Sequence, residues 1–418
     1  MQYPMIHTYS LGELYTERKE KGDPSLPILT VSIHAGVSEG ELDEDKLGKK
    51  VKRIADKTQY KTARKGDLVF NMMRAWQGAI GVVRSDGLVS PAYIVAKPNE
   101  KIWPEYMDYC MKTPRMIHAI HRQSYGVTDF RLRLYWDSFT PITCQLPPLP
   151  EQQKIAAILS TQDKVIELKE KLLAQKQQQK KYLMQQLLTG KKRLPGFDRK
   201  WNYVKANEIF KSIVDKSHDG KLEVLSSTQD KGIVPRSQVD IDIKYNENSL
   251  STYKKVCEGD FVISLRSFQG GIEYSNYAGI VSPAYTVLRA IVKIDNGYYK
   301  QFFKSSNYIK RLNVAVYGIR DGKQISYDDF GQIKIPVPPI EEQREVAKVL
   351  STADHEIDLL QKSIEAEKQK NTVIWTLAII GAVAAVAAIA YAVYRFVSPD
   401  YLDDFDDDFD DDFDDYFS

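Results

Sequence analysis

The sequence predicts an α+β protein built from two tandem copies of one unit, a mixed globular domain followed by a long helix. Two observations predict this class. Short β-type runs punctuated by glycine, aspartate and proline occupy residues 1–146, and a long helical pattern follows them. The helix start then returns 191 residues later, after a second region of the same kind.

The first domain, residues 1–146, mixes strands and helices without regular βαβ alternation. The period becomes helical from Pro104 to Gln123, with an interruption at Pro114. The predicted strands are Pro27 to Ile33, Asp67 to Met72, Ala79 to Arg84 and Tyr93 to Ala96.

The central segment, residues 147–193, predicts one long helix. The diproline Pro147-Pro148 stops the preceding structure, and Glu151 places a carboxylate at the positive helix end. Gly190 suits the helix end, with basic residues after it. At about 1.5 Å per residue the rod from Glu151 to Leu188 is roughly 57 Å long, which suits a spacer between domains. Its apolar positions are Ile155, Ile158, Leu159, Val165, Ile166, Leu168, Leu172, Leu173, Leu183, Leu187 and Leu188.

A second domain, residues 194–337, and a second long helix, residues 338–371, repeat this plan. Several short motifs recur in the same order, which indicates duplication of the whole unit, and the period is far longer than that of a solenoid. The paired motifs are Pro147-Pro148 and Pro338-Pro339, Glu151-Gln152 and Glu342-Gln343, Leu159-Ser160-Thr161 and Leu350-Ser351-Thr352, Gly66-Asp67 and Gly259-Asp260, Val89 to Tyr93 and Val281 to Tyr285, and Tyr125-Gly126 and Tyr317-Gly318.

Composition bounds the class of protein. The 418 residues suit two or three domains, and the three scattered cysteines suggest a reducing compartment. The net charge is +2, but eleven aspartates and no basic residue follow Val397, so removing them leaves +13 for residues 1–397. This excess is compatible with binding a polyanion, and equally with a merely basic soluble protein.

Two segments in each domain are candidates for contact with DNA. In the first, arginine can pair with guanine and glutamine with adenine, while glycine lets the backbone come close. The alternative is that the aromatic residues belong to the core and the arginines form structural ion pairs. The residues of this segment are Arg74, Trp76 and Gln77, mirrored by Arg266, Phe268 and Gln269.

The second segment combines glycine, hydroxyl groups and cations in a loop, which suits contact with phosphate. A solvated turn is the alternative interpretation. The candidate residues are Tyr125, Arg131 and Arg133, mirrored by Tyr317, Arg320 and Lys323. The VSPAY motif of each domain is interpreted as packing, because a Ser-Pro turn before a buried tyrosine is common.

The sequence carries no recognisable signal of catalysis. The sequence has no phosphate-binding lysine loop and no glycine-rich dinucleotide turn after a strand. The six histidines have no metal-ligand spacing. We therefore expect neither catalytic residues nor a metal site in this chain.

The helix starts PPLPEQQKIAAILS and PPIEEQREVAKVLS, and the helix end LMQQLLTGKKRLPGF, resemble the specificity (S) subunit of type I restriction–modification systems. The resemblance implies two target recognition domains, each reading one half of a split sequence in double-stranded DNA. It implies that the long helices pair as an antiparallel coiled coil that spaces the halves, as half-sites are spaced in dimeric readers. Because the two domains differ strongly outside the shared motifs, we expect an asymmetric target.

The resemblance also implies partners and the absence of catalysis. An S subunit has no cofactor of its own and recruits modification subunits, which methylate adenine with S-adenosylmethionine. Through them it recruits restriction subunits that use ATP and Mg²⁺. The sequence does not define the target or the spacer length.

The C-terminal region departs from this family. Residues 372–397 predict a transmembrane helix, because no charged residue occurs from Val373 to Tyr394. Lysines precede the run, so the body would be cytoplasmic and tethered to the membrane. Residues 398–418 predict a disordered acidic tail. The alternative function is a membrane-anchored interaction protein that has kept the duplicated scaffold but lost specific DNA binding.

Overall fold

The computed structural model describes residues 6–33, 36–40, 56–128, 131–239, 247–315 and 325–380. Within these ranges the side chains of 247–249, 268, 315 and 373–380 are not described. The chain forms two compact units. The first contains the described residues up to Leu168 together with 365–380, and the second contains Lys169–Ile364.

The first unit is a mixed α and β domain, as predicted. A four-stranded antiparallel sheet has the order Tyr15–Glu17, Tyr93–Pro98, Leu68–Asn71, Ile80–Val82. The other strands are His7–Ser10, Leu29–Ser32, Gly36–Glu39, Lys61–Ala63, Gly87–Val89 and Thr143–Leu146. The helices of the domain are Leu11–Leu14, Pro104–Cys110, Pro114–Gln123 and Trp136–Phe139, with 3₁₀ turns at Lys57–Gln59 and Ala75–Gln77.

The core of the first unit joins the sheet to the start of the long helix. Phe70 of the central strand stacks on Phe139, with ring centroids 4.9 Å apart. Ile155 and Leu159 of the long helix are buried in the same cluster. Burying these apolar faces on one side fixes where the helix leaves the domain.

The second unit repeats the same sheet, with the order Phe210–Ile213, Thr286–Ala290, Phe261–Ile263, Glu273–Tyr274. Its core is rich in aromatic rings and includes Leu183 and Leu187 from the end of the first long helix. The remaining strands are Asn202–Lys205, Leu225–Thr228, Gly232–Pro235, Lys254–Val256, Gly279–Val281 and Lys334–Val337. The helices are Ser267–Gly270, Asn296–Lys304, Ser306–Ala315 and Tyr327–Gln332, with 3₁₀ turns at Ala206–Glu208, Arg236–Gln238 and Glu247–Thr252.

The repeated Gly-Asp motif has a structural role in both units. Asp67 and Asp260 are buried, and each accepts two hydrogen bonds from one arginine side chain. Arg18 donates to Asp67 at 2.6 and 3.1 Å, and Arg289 donates to Asp260 at 2.7 and 2.6 Å. A forked arginine satisfies a buried carboxylate with good geometry. Each motif therefore ties the start of its central strand to a second strand, through Arg18 next to Tyr15–Glu17 and through Arg289 within Thr286–Ala290.

Two long helices were predicted, and they extend over Leu149–Leu187 and Ile340–Ile380. The glutamine of each EQ pair attaches its helix to the domain. The amide of Gln152 donates to the carbonyl of Pro147 and accepts from the backbone of Trp103, both at 2.9 Å. Gln343 makes the equivalent bonds: its amide donates to the backbone carbonyl of Pro338 and accepts from the backbone N–H of Asp295, also at 2.9 Å.

Hydrogen bonds join the two long helices within each unit, and in the second unit they follow opposite order along the chain. In the second unit Lys169 donates to Ser363 at 2.7 Å and Lys176 donates to Glu356 at 2.7 Å. In the first unit Gln162 donates to Glu367 at 2.6 Å. The helix segments of the second unit therefore run antiparallel.

No helix among the described residues combines the length and the apolar character that a bilayer crossing requires. The predicted transmembrane segment, residues 372–397, lies outside the described residues from 381 onward, and the predicted acidic tail, 398–418, lies outside them entirely.

Candidate nucleic-acid interface

The first candidate segment of unit one is a short exposed turn at the end of the central strand. The turn Ala75–Gln77 follows this strand directly and ends at Gly78, whose φ is 101°. Trp76 is half-buried against the core, and its indole donates to the carbonyl of Met73 at 3.1 Å. Arg74 and Gln77 are exposed. The tryptophan therefore belongs to the packing, as the alternative interpretation proposed, while the arginine and glutamine face solvent.

The second unit has the same arrangement in slightly different backbone geometry. A single helical turn, Ser267–Gly270, follows the central strand, and Ser267 accepts from the backbone of Ser264 at 2.9 Å. Arg266 and Gln269 are exposed. Neither Arg74 nor Arg266 takes part in an ion pair among the described residues, which argues against structural salt bridges at both positions.

The structure brings the two candidate segments of unit one together. The backbone of Tyr125 pairs with that of Arg133 at 2.9 and 3.1 Å, and the next residue, Leu134, donates to the carbonyl of Met72 at 2.9 Å. Tyr125 is 58% exposed, and Arg131 and Arg133 are exposed. Three arginines and one glutamine thus lie on adjoining loops.

The second segment of unit two cannot be compared, because Tyr317, Arg320 and Lys323 lie outside the described residues. Phe268 lies in the helical turn of unit two, but its side chain is not described. The proposed equivalence of these residues with unit one stays a prediction.

The structure places a further tyrosine next to the candidate segment, one that the sequence indicated as a packing residue alone. Tyr93 of the VSPAY motif lies directly opposite Asn71 in the sheet, beside the turn that carries Arg74. Burial raises the pKa of Tyr93, and the positive charge of Arg74 opposes that rise. Lys61 fixes the strand start by donating to the carbonyl of Tyr93 at 2.7 Å.

The same contacts recur at Tyr285. Lys254 donates to its carbonyl at 2.6 Å. Burial raises the pKa of Tyr285, and the positive charges of Arg236 and Arg266 oppose that rise. Both short motifs, VSPAY and arginine-x-x-glutamine-glycine, recur in the two domains. This joint recurrence is the sequence signal that could have indicated that the tyrosine of one motif lies near the arginine of the other.

Among the described residues, no group of three or more histidine, cysteine, aspartate or glutamate side chains could hold a metal ion. Cys110 and Cys144 are buried, and burial raises the pKa of the Cys110 thiol to about 12. A thiol in this state is not a nucleophile near neutral pH. The exposed arginine and glutamine of each unit are suited to contact with an anionic or hydrogen-bonding surface.

Comparison with known families decides the identity of the repeated unit. The sequence model of the type I restriction modification DNA specificity domain matches residues 12–177 and again residues 198–369. This chain belongs to that family. It is a non-catalytic specificity subunit whose role is DNA sequence specificity, and its two matched copies coincide with the duplication found in the sequence.

Individual proteins agree with the family. A protein of Methanocaldococcus jannaschii, described as the type I restriction enzyme MjaX specificity subunit, is 24% identical over 405 residues, covering 88% of this chain and 89% of the relative. A solved structure concerned with complex assembly of the type I R-M system is similar in fold, with a TM-score of 0.54 and 20% identity, covering 91% and 99% of the two chains. The type I restriction-modification S subunit of M. genitalium gives a TM-score of 0.52 at 12% identity, covering 89% and 95%.

Proposed function

We propose that this specificity subunit reads a bipartite target in double-stranded DNA, one half with each recognition domain, residues 1–146 and 194–337. The observation that carries the proposal is the recurrence of one exposed arginine and one exposed glutamine at the same strand end in both units. These side chains suit readout of base edges in the major groove, whereas Arg131 and Arg133 suit contact with phosphate.

The two long helices are proposed to pair as an antiparallel coiled coil that fixes the spacing between the half-sites. The opposite order of the hydrogen bonds between their segments in the second unit supports the pairing. A helix of 39 residues is about 58 Å long, which is enough to separate contacts by more than one turn of DNA.

The helices are also proposed to recruit the modification subunits, and through them the restriction subunit. Leu172 and Leu359, both in the second unit, are 43% and 40% exposed. Leu172 lies between Lys169 and Lys176, and Leu359 lies between Glu356 and Ser363, the residues that hydrogen bonds join across the helices, so the leucines are at one level of the pair. Exposed apolar side chains of this kind favour a protein partner. S-adenosylmethionine, ATP and Mg²⁺ would serve those partners.

The partner proposal is tested by co-purification with the modification subunit. Replacing Leu172 and Leu359 by serine should weaken retention, while the exposed Lys362→Ala change on the same helix should not. Equal retention of both variants would contradict recruitment through these leucines.

DNA reading is tested by measuring affinity for the genomic target and for scrambled DNA over a range of salt. R74A should lose about 5- to 150-fold in preference at one half-site only, and R266A at the other, since a bidentate arginine contributes about 1–3 kcal/mol of discrimination. R131A should weaken binding to all sequences and lower the salt slope by about 0.9.

The exposed Lys19→Ala variant, which also removes one positive charge, is the matched control and should retain the preference. If R74A and R266A keep the full preference of the wild-type protein at both half-sites, these loops do not read bases.

A tether at the cytoplasmic membrane is a separate hypothesis, supported by the uncharged run from Val373 to Tyr394 alone. The corresponding alternative function is a membrane-anchored interaction protein without specific DNA binding. Fractionation tests the tether: a spanning chain stays with membranes after a high-salt wash, and a chain released by salt alone does not span. Salt-dependent binding without any sequence preference would favour the alternative function.

A further inference from the structure

In the second unit, the glutamate at the start of the long helix is completely paired. Glu342 is fully buried, and its carboxylate accepts from the Arg193 guanidinium at 2.5 and 2.6 Å. The indole of Trp201 donates to the same carboxylate at 2.9 Å, and the guanidinium lies 5.2 Å from the centre of the indole ring. Arginine and tryptophan of one connecting segment, residues 190–201, thus hold this helix start.

In the first unit the equivalent glutamate is Glu151, 191 residues earlier. The helix start that carries Glu151 is attached to its domain in the same way, because Gln152 makes the same anchoring bonds as Gln343. Tyr106 also corresponds to Tyr298, and the charge of the neighbouring glutamate contributes to raising the pKa of each tyrosine.

The pairing of Glu151 differs from that of Glu342. Its Oε1 atom is buried and has no hydrogen-bond partner in the part of the chain that the structure describes. Burial raises the pKa of Glu151, with only the charge of Lys154 opposing the rise. A buried carboxylate oxygen without a donor costs free energy that a suitable cation would recover.

The sequence explains why the chain does not repeat the segment that pairs with Glu342. After the second long helix, the same offset matches Arg193 with Ala384 and Trp201 with Ala392, and no charged residue occurs from Val373 to Tyr394. The residues after Val397 add eleven negative charges and no positive one. Neither stretch resembles the basic, aromatic segment 190–201. Ahead of the first strand of the first domain, the strand register that matches Asn202 with His7 places Ile6, which is not aromatic, at the position of Trp201.

We propose that Glu151 is a docking site for a basic segment of another polypeptide, one that carries an arginine and, eight residues later, an aromatic ring. The second unit supplies the chemistry of the occupant, since residues 190–201, GKKRLPGFDRKW, fill the equivalent site there. A forked arginine bond to the carboxylate gives both charge complementarity and direction.

The test uses the full-length chain and a labelled synthetic peptide of residues 190–201, followed by fluorescence anisotropy in the absence of DNA. The peptide should bind saturably. Binding should weaken by about tenfold or more in E151Q, and equally when the peptide arginine that corresponds to Arg193 is replaced by alanine, because each change removes the charged hydrogen bond between the two groups.

E342Q is the matched control, and its binding of the peptide should equal that of the wild-type chain. Undetectable binding to the wild-type chain overturns the proposal, as does equal binding to E151Q. Loss in E342Q with retention in E151Q also overturns it, because the peptide would then be exchanging into the second unit. Thermal unfolding of E151Q checks that the first unit remains folded.

Discussion

The two units keep the same scaffold but differ in how each long helix is fastened at its start. Gln152 and Gln343 make the same backbone bonds, and Asp67 and Asp260 each accept from an arginine, although the two arginines lie at different strands of the sheet plan. Glu342, by contrast, is paired with Arg193 and Trp201, whereas a carboxylate oxygen of Glu151 has no partner among the described residues. The two units therefore share the contacts made inside each domain. They differ in the contact that the segment following a long helix makes with the buried glutamate.

Removing the arginine that pairs with Glu342 should have the largest effect. R193A leaves a buried charge with only the indole as partner, so the free energy of unfolding of the second unit should fall by about 3–5 kcal/mol. E151Q should change that of the first unit by less than about 0.5 kcal/mol, because no ion pair is lost. Urea unfolding of both variants measures this, and a similar large loss in each would mean that Glu151 has a strong partner.

The glycines that follow the turns Ala75–Gln77 and Ser267–Gly270 should give a smaller difference in stability between the two units. Both have positive φ, 101° at Gly78 and 84° at Gly271. A Cβ at Gly78 would meet its nearest atom at 3.7 Å, whereas one at Gly271 would lie 2.2 Å from the carbonyl oxygen of Phe303. G78A should therefore cost about 1 kcal/mol and G271A about 3 kcal/mol of stability. Equal midpoints in urea for the two variants would show that the turns tolerate a side chain alike.

Acid titration should reveal the smallest effect. The pKa of Glu151 is raised above the ordinary value of 4.5, so the folded first unit holds a proton that the unfolded chain releases. The resulting stabilisation is complete below pH 4.5 and is lost as the pH rises through the raised pKa. Thermal unfolding between pH 4 and 7 should thus show a shallow decline for the wild-type chain that E151Q lacks, and an identical slope in both would contradict it.

Local sequence signals predicted the two long helices, four of the strands of the first unit and its helical stretch from Pro104 to Gln123. Proline at Pro104 and Pro114 starts two helices where expected, because proline suits the first helical turn. Gly190 follows the first long helix with a φ of 69°, as its position indicated. The repeat of short motifs predicted the duplication and, with the resemblance, the family.

The contacts that build the site were not predictable in the same way. Arg18 and Asp67 are 49 residues apart and Arg193 and Glu342 are 149 apart, and no local period links such pairs. Tyr93 lies beside Arg74 only because the strand register places it opposite Asn71. Sequence periodicity indicates which face is buried, but it does not give the partner on another element.

Independent reading of two half-sites is tested most directly by making the two readers identical. In such a chain, residues 202–337 are replaced by 7–146, which begin and end on the same strand pair in each unit. Methylated sites are then mapped across the genome of a strain that supplies the modification subunits. The proposed function predicts that the new target contains the half-site of the first domain twice, as an inverted repeat. An unchanged asymmetric target, or one in which both halves are new, would contradict it.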